Sequence, residues 1–263
     1  MPEHQRPLAT VILAAGQGKR MQDPSKPKVL YEIAGVPLIG HVLKLSESIR
    51  SERTVVIVGF GKEKVIEYIS PIYPNVEFVV QAAQHGTGHA MQQTAPLLEN
   101  YSGDILVLYG DVPLLAESTV KNLLEVHRNS GAKATVLSAI YQDPTGYGRI
   151  VRSHDGKYLE AIIEERDASP EIKKIKEMNS GIYVFEAKYL YPALTKLQPN
   201  NDQKEYYLTD VFGLLIAEFG TNAVAIHQTY DPVEVIGINT KDQLLELEKI
   251  YQKLLKQPRN SDF

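Results

Sequence analysis

One stretch near the start constrains the chain more than any other: residues 8–30, LATVILAAGQGKRMQDPSKPKVL. Leu8 to Leu13 is short, apolar and rich in β-branched residues, which predicts one buried strand. Ala14, Ala15, Gly16 and Gly18 then carry the chain into a loop with almost no side-chain bulk. Lys19, Arg20, Lys26 and Lys28 follow, with Asp23 as the only acid among them. Bare backbone amides beside clustered cations suit a polyphosphate, whose oxygens the N–H groups can reach and whose charge the cations offset.

Two common phosphate loops do not fit. The dinucleotide fingerprint needs glycine where Met21 stands, and a P-loop needs glycine at Leu13 and a hydroxyl residue at Arg20. A glycine-rich turn with solvated cations is the plain alternative at this point. Net charge is −4, so the cations are local and imply a small anionic ligand rather than nucleic acid. The chain has no cysteine, which excludes disulfides and thiolate metal sites. No signal-peptide pattern or membrane-length apolar run is present, and a cytoplasmic protein is expected.

The rest of the first half alternates. Strands are predicted at Thr54–Val58, Val76–Gln81, Ile105–Tyr109 and Ala134–Ile140, and helices from Pro37, at Lys62–Ser70, Thr87–Leu98 and Ser118–Arg128. The strands lack polar alternation, so the fold class is α/β with a mostly parallel, doubly wound sheet covered on both faces. Ligands bind such sheets beyond the carboxyl ends of the strands, which directs attention to the residues after Leu13, Val80 and Leu108. Beyond Ile140 the pattern loosens. Arg149–Arg152 and Tyr158–Glu164 read as a hairpin around Asp155-Gly156, 165–178 as a charged loop or short helix, and Ser180–Phe185 as a strand. Helices are expected at Tyr206–Phe219 and Thr240–Leu255, the latter with Leu244, Leu245, Leu247, Ile250 and Leu254 on its apolar face. The tail from Lys256 reads as frayed.

Three strand ends carry chemistry. Gln81 to His89, QAAQHGTGH, offers two amides suited to a base edge and two glycines allowing close backbone approach. His85 and His89 have a metal-pair spacing but no intervening carboxylate, which favours a non-metal role; Thr87 also suits a helix N-cap. Asp111 follows Leu108-Tyr109-Gly110, where one carboxylate with phosphate oxygens and waters would hold Mg²⁺, or would cap a turn. Gly148, Glu164, Asn179, Tyr207, Thr209 and Asn239 are scattered polar candidates, with Asn239 expected to end an apolar strand at Val235–Ile238.

Together these segments resemble the sugar-phosphate nucleotidyltransferases, and most closely the uridylyltransferase domain of the bacterial N-acetylglucosamine-1-phosphate uridylyltransferases. The signature runs through Leu13–Met21 and Pro27–Leu30 and continues in QHGTGHAM, LYGDVPLL, DPTGYGRI, IIEERDAS, MNSGIYVF, EYYLTDV and GIN. The resemblance implies a Rossmann-like sheet with a smaller β-rich lobe, one domain whose nucleotide part spans about residues 7–140 and whose sugar lobe and last helix span about 141–255. It implies that Leu13, Ala14, Ala15, Gly16, Gln81, Gly86 and Thr87 hold uridine, and that Arg20 and Lys28 act on the phosphates. It assigns Mg²⁺ to Asp111 with Asn239, and the sugar to Tyr109, Gly110, Gly148, Glu164 and Asn179. The implied reaction joins UTP and N-acetylglucosamine 1-phosphate into UDP-N-acetylglucosamine, a cell wall precursor, and pyrophosphate. Another sugar or nucleotide, or a non-catalytic sensor, is the alternative. Lys19, an extra residue before Pro27, and Arg166 depart from the usual pattern. No hexapeptide-repeat β-helix is present before Phe263, so acetyltransferase activity and a β-helix trimer are not expected; a monomer or weak dimer without nucleic-acid or membrane partners is.

Overall fold

The computed structural model describes residues 6–256, so the tail from 257 onward lies outside the described residues. Strand β1 (Leu8–Ala14) enters the glycine-rich loop, in which Lys19–Met21 and Lys28–Leu30 form single 3-10 turns. A small ribbon, β2 (Glu32–Ile33) and β3 (Val36–Pro37), leads to α1 (Leu38–Ser48). Then come β4 (Arg53–Val58), α2 (Lys62–Ile69), β5 (Glu77–Val80), α3 (Thr87–Gln92) and α4 (Ala95–Leu98). The first half closes with β6 (Asp104–Tyr109), α5 (Glu117–Ser130) and β7 (Ala134–Ile140). The second half contains β8 (Arg149–Arg152), β9 (Leu159–Ile163), α6 (Pro170–Lys173), β10 (Glu177–Glu186) and α7 (Ala187–Leu194). It ends with α8 (Asp210–Phe219), β11 (Val224–Gln228) and α9 (Lys241–Lys256).

The main sheet runs in the order β11-β7-β10-β6-β1-β4-β5, with the hairpin β8–β9 attached to β10. β1 pairs in parallel with both β4 and β6, Val11 facing Val55 on one side and Val107 on the other. β10 is antiparallel to both β6 and β7, so the sheet is mostly parallel with one reversed member on this path. Strands from the second half, β10 and β11, therefore lie in the same sheet as the first-half strands.

The absence of polar alternation has the expected consequence. Ala9, Val11 and Leu13 of β1 enter one core with Ala90, Met91, Leu190, Phe212 and Leu215 of α3, α7 and α8. Leu8, Ile12 and Ala14 enter the other with Ile39, Val42, Val65, Ile69, Val120 and Leu123 of α1, α2 and α5. Strands β1, β4, β6, β7 and β10 thus bury apolar area on both faces, at roughly 25 cal/mol per Å². A third cluster joins Met21 of the glycine-rich loop, Ile33, Leu38, Leu114 and Ile238 to Leu247 of α9. The last helix thereby fastens both the loop and the segment before Asn239.

Several expectations need correction. The helix expected over Thr87–Leu98 is two helices: α3 ends at Gln92 and α4 begins at Ala95, with Pro96 in its first turn. The helix expected from Tyr206 starts at Asp210, because the Tyr206 N–H donates to His85 O and its carbonyl accepts from Gly88 N, both at 2.8 Å. Val235–Ile238 is not a strand; Pro232–Val235 is a 3-10 turn followed by irregular backbone. Leu245 is 61% exposed and stands off the apolar face of α9. Among the described residues no helix is long and apolar enough to cross a membrane.

Candidate functional site

A cavity of about 470 Å³ opens beyond the carboxyl ends of β1, β5 and β6. Its wall includes Leu13, Ala14, Ala15, Gly16, Arg20, Lys28, Gln81, Gly86, Thr87, Tyr109, Asp111, Gly148, Glu164, Asn179 and Asn239. Of the residues to which the resemblance assigns a role, all except Gly110 therefore meet at one place. Gly110 stands behind the wall, its N–H donating to Leu13 O at 3.0 Å, and a side chain there would press on Val29 at 3.1 Å.

The glycine-rich loop owes its path to close packing. Gly18 has φ 61°, and a Cβ there would lie 2.7 Å from the Cβ of Lys28, so the loop folds back directly onto that lysine. Lys19 and Arg20 share one 3-10 turn but only Arg20 faces the cavity. Lys26 lies over the Tyr31 ring at 5.0 Å, a cation–π contact. Neither Lys19 nor Lys26 lines the cavity, nor does the exposed Arg166.

Lys28 is the junction of three distant segments. Its ammonium donates to Asp111 Oδ2 and to Asn239 Oδ1, the latter at 3.0 Å. Asp111 follows β6, and its carbonyl accepts from Ile238 N at 3.0 Å, which draws the Asn239 segment to it. Asn239 is held in turn by Gln243 of α9, whose Oε1 accepts from Asn239 N at 2.8 Å. The Asp111 side chain is thus occupied with Lys28 rather than with capping the turn. The carboxylate oxygen and amide oxygen converge on one positive charge. They are hard oxygen donors of the kind Mg²⁺ takes, and two protein donors leave the remaining positions to phosphate oxygens and water. The residues present fit such an ion. Among the described residues no group of three or more His, Cys, Asp or Glu side chains is gathered for a metal, so a full protein cage is not built here.

The segment after β5 folds against residues 201–208. Gly86 has φ 99°, and a Cβ there would lie 2.6 Å from Tyr206 O. Thr87 is the first residue of α3 and not its N-cap; Gly86 holds that position. The Thr87 hydroxyl accepts instead from Leu208 N at 3.1 Å, so it joins the two segments. Gln84 donates to Ala15 O at 2.7 Å and so ties this segment to the first loop. Gln81 donates to Gly86 O at 3.0 Å and meets His89 Nδ1 at 3.1 Å. His85 and His89 stack edge to face at 5.1 Å. Burial, then the neighbouring His85, holds His89 below the ordinary imidazole range.

The opposite wall comes from the hairpin and β10. Glu164 accepts from the Thr209 hydroxyl at 3.1 Å. Burial pushes its carboxyl above the usual range, against the lowering effect of Thr209, and Asp167 and Asp210 add to the rise. Asn179 sits at a register shift in β10; its Nδ2 donates to the Tyr183 hydroxyl at 2.8 Å and its Oδ1 accepts from Gly181 N at 3.2 Å. Gly181 has φ 83° and abuts the Tyr109 ring, where a Cβ would come within 2.8 Å. The hydroxyl of Tyr109 is raised far out of its ordinary range, first by burial and then by Glu164 and Asp111.

Sequence reasoning missed Tyr147, Ser180, Gly181, Tyr183, Gln203 and Glu205 in this wall. It also missed Arg149, a fully buried cation that donates to Tyr147 O and pairs with Glu165 at 2.9 Å. That pair locks the neighbours Gly148 and Glu164 across the hairpin. A lone arginine flanked by glycine and isoleucine inside a strand was the available signal.

Residues 10–197 match the family described as the MobA-like NTP transferase domain. Among curated proteins, the chain is 45% identical to "Bifunctional protein GlmU" of Geobacillus thermodenitrificans over 91% of its own length and 51% of that protein's. It is 46% identical to the protein of the same name from Burkholderia orbicola, over 92% of this chain and 52% of the relative. The chain spans about half the length of the curated relatives it matches. A solved UDP-glucose pyrophosphorylase complexed with UDP-glucose superposes with a TM-score of 0.72 at 17% identity, over 94% of this chain and 99% of the other. That likeness establishes the nucleotide-diphospho-sugar transferase type of fold.

Proposed function

We propose that this chain, which belongs to the MobA-like NTP transferase domain family, moves a uridylyl group from UTP to N-acetylglucosamine 1-phosphate, releasing pyrophosphate. The observation that carries the reading is the meeting of Lys28, Asp111 and Asn239 in a cavity with one backbone-lined wall and one wall of carboxylate and amide side chains. A nucleoside triphosphate suits the first wall, because Leu13 to Gly16 offer backbone without bulk and Arg20 and Lys28 offer charge. A sugar suits the second, because Glu164, Asn179 and the backbone at Gly148 present hydrogen-bonding groups of both signs.

An oxygen of the sugar phosphate attacks the α-phosphorus of UTP in line. One phosphorus–oxygen bond forms, the bond to the β-phosphate oxygen breaks, and pyrophosphate leaves with the electron pair. The attacking phosphate is already ionised near neutral pH, so no protein nucleophile or base is required. The protein's share is positioning and charge. Gln81, Gly86 and Thr87 hold the base, Arg20 and Lys28 offset the charge of the reacting phosphates, and Tyr109, Gly110, Gly148, Glu164 and Asn179 shape and line the sugar side. Asp111 and Asn239 would hold Mg²⁺. When bound, that ion adds positive charge at the phosphate oxygens, which favours the displacement.

A pyrophosphate-release assay with UTP, Mg²⁺ and a panel of sugar 1-phosphates tests the reading. Release with N-acetylglucosamine 1-phosphate above the other acceptors is the expected result. Release with glucose 1-phosphate alone would move the substrate, and silence with every nucleotide and acceptor would favour a sugar-nucleotide sensor. UDP-N-acetylglucosamine formation makes the chain a supplier of a cell wall precursor, and a soluble cytoplasmic setting goes with that role.

A further inference from the structure

We propose that His89 is a positioning residue that fixes which way round the Gln81 amide faces the cavity, so that the site favours a base with an N–H donor at its pairing edge. The inference rests on the reading of Gln81 as a base contact. Gly86 O can only accept, so the amide atom 3.0 Å from it must be the NH₂ group, and Nε2 is assigned by chemistry. The second hydrogen of that NH₂ group faces His89 Nδ1 at 3.1 Å. Both amide hydrogens are therefore committed. The carbonyl oxygen of Gln81, a residue only 5% exposed in the cavity wall, makes no hydrogen bond among the described residues. It is an acceptor waiting for a donor.

The arrangement requires His89 Nδ1 to be bare. A charged imidazole would set an N–H against the Gln81 NH₂ group and turn the amide over, leaving Gly86 O facing another acceptor. Burial and the proximity of His85 both disfavour that charge. The neutral ring then carries its hydrogen on Nε2. There it meets the half-buried Gln93, whose amide lies 3.3 Å away and donates to His89 O at 3.0 Å. Turning the Gln93 amide oxygen toward that N–H gives up its bond to His89 O, but Gln93 is only half-buried and water can replace that bond, whereas the Gln81 amide, 5% exposed, has no such replacement for Gly86 O. An oxygen presented by Gln81 suits uracil, whose N3 carries hydrogen. It faces the bare N3 of cytosine with a second acceptor.

Calorimetric binding of UTP and CTP to the full chain, independent of turnover, tests the proposal with His89→Leu and His89→Asn. Leucine removes the acceptor, and asparagine restores an oxygen near the Nδ1 position. The expected result is a preference for UTP in the unaltered protein that falls at least about tenfold in His89→Leu and is largely recovered in His89→Asn. Undiminished preference in His89→Leu, equal loss in both variants, or no preference in the unaltered chain would overturn it. Nitrogen NMR of the labelled histidines in the unaltered protein covers the case of a variant that does not fold. A bare Nδ1 on His89 at neutral pH supports the arrangement and a protonated one refutes it. If UTP preference follows His89 but no pyrophosphate is released with any acceptor, the proposed reaction fails while this inference stands.

Discussion

The two walls of the cavity are built by different means. The loop wall is largely backbone: Leu13 to Gly16 sit where β1 ends, and Gly18 and Gly86 hold positive φ where a Cβ would collide with Lys28 and Tyr206. The hairpin wall is side chain: Glu164, Asn179 and Thr209 come from three separate segments and owe their positions to a buried ion pair and a strand irregularity. A wall made of backbone needs its neighbours to stay small. A wall made of side chains needs its partners to stay present. The two should therefore break under different substitutions.

The largest effect is expected where the walls meet. Lys28→Ala removes the charge that joins Asp111 to Asn239, and losing one preorganised electrostatic group typically lowers turnover by about 10²–10³-fold. Pyrophosphate release measured beside thermal melting checks this. Near-normal turnover in a folded variant would remove Lys28 from the chemistry.

Next is the side-chain wall. Arg149→Ala leaves Glu165 without its buried partner and unties Gly148 from Glu164. Breaking a fully buried pair costs about 3–5 kcal/mol; Glu165 keeps some water access, so about 2–3 kcal/mol is expected in denaturant unfolding. A loss confined to sugar-phosphate KM, with stability unchanged, would mean that the pair positions the hairpin without holding the fold.

The backbone wall is tested by Gly86→Ala. The added methyl meets Tyr206 O at 2.6 Å in a φ region that disfavours side chains. Strain of about 1–3 kcal/mol is expected, with UTP affinity falling and sugar-phosphate KM little changed. Equal damage to both substrates would show that the walls are mechanically coupled through residues 201–208.

This contrast also explains what was legible in the sequence. β1, β4, β6 and β7 announced themselves because burial on both faces demands continuous apolar runs, and each site residue at the end of such a run could be located from the run alone. Asp111 was found in that way, and Lys28 as one of four cations in the loop after β1, two of which do not line the cavity. Asn239 was singled out in the same way as Asp111 but at the end of a strand that does not exist, and only the resemblance gave it a role; Val235–Ile238 is apolar for a different reason: Val235 enters a sheet-face core and Ile238 packs with α9. Strand β11 has only Val224 fully buried at the sheet edge, and its mixed VAIHQ pattern gave no signal. Helix α7, Ala187–Leu194, contains Pro192 and follows β10 without a turn residue, so it escaped notice as well. Arg149 was hidden because burial of an arginine depends on a partner, Glu165, that only the hairpin register brings near.

Glu164 gives the finest comparison, because it sets function against stability in the side-chain wall. Its carboxyl is raised above the ordinary range chiefly by burial, so the folded state holds this proton more tightly than the unfolded state does. Stability is then greatest below the unfolded pKa and is lost as pH rises through the folded one. Glu164→Gln removes the titration while keeping an oxygen to accept from Thr209. The variant should melt above the unaltered protein at neutral pH, with the gap closing under acid. A hydrogen bond to a charged acceptor is worth about 1.5–3 kcal/mol, so sugar-phosphate KM should rise at least about tenfold while UTP binding is unchanged. Higher stability with weaker sugar binding would mean that this carboxylate is kept for its ligand at a cost to the fold. A variant that melts lower at every pH would mean instead that Glu164 holds α8 and the hairpin together.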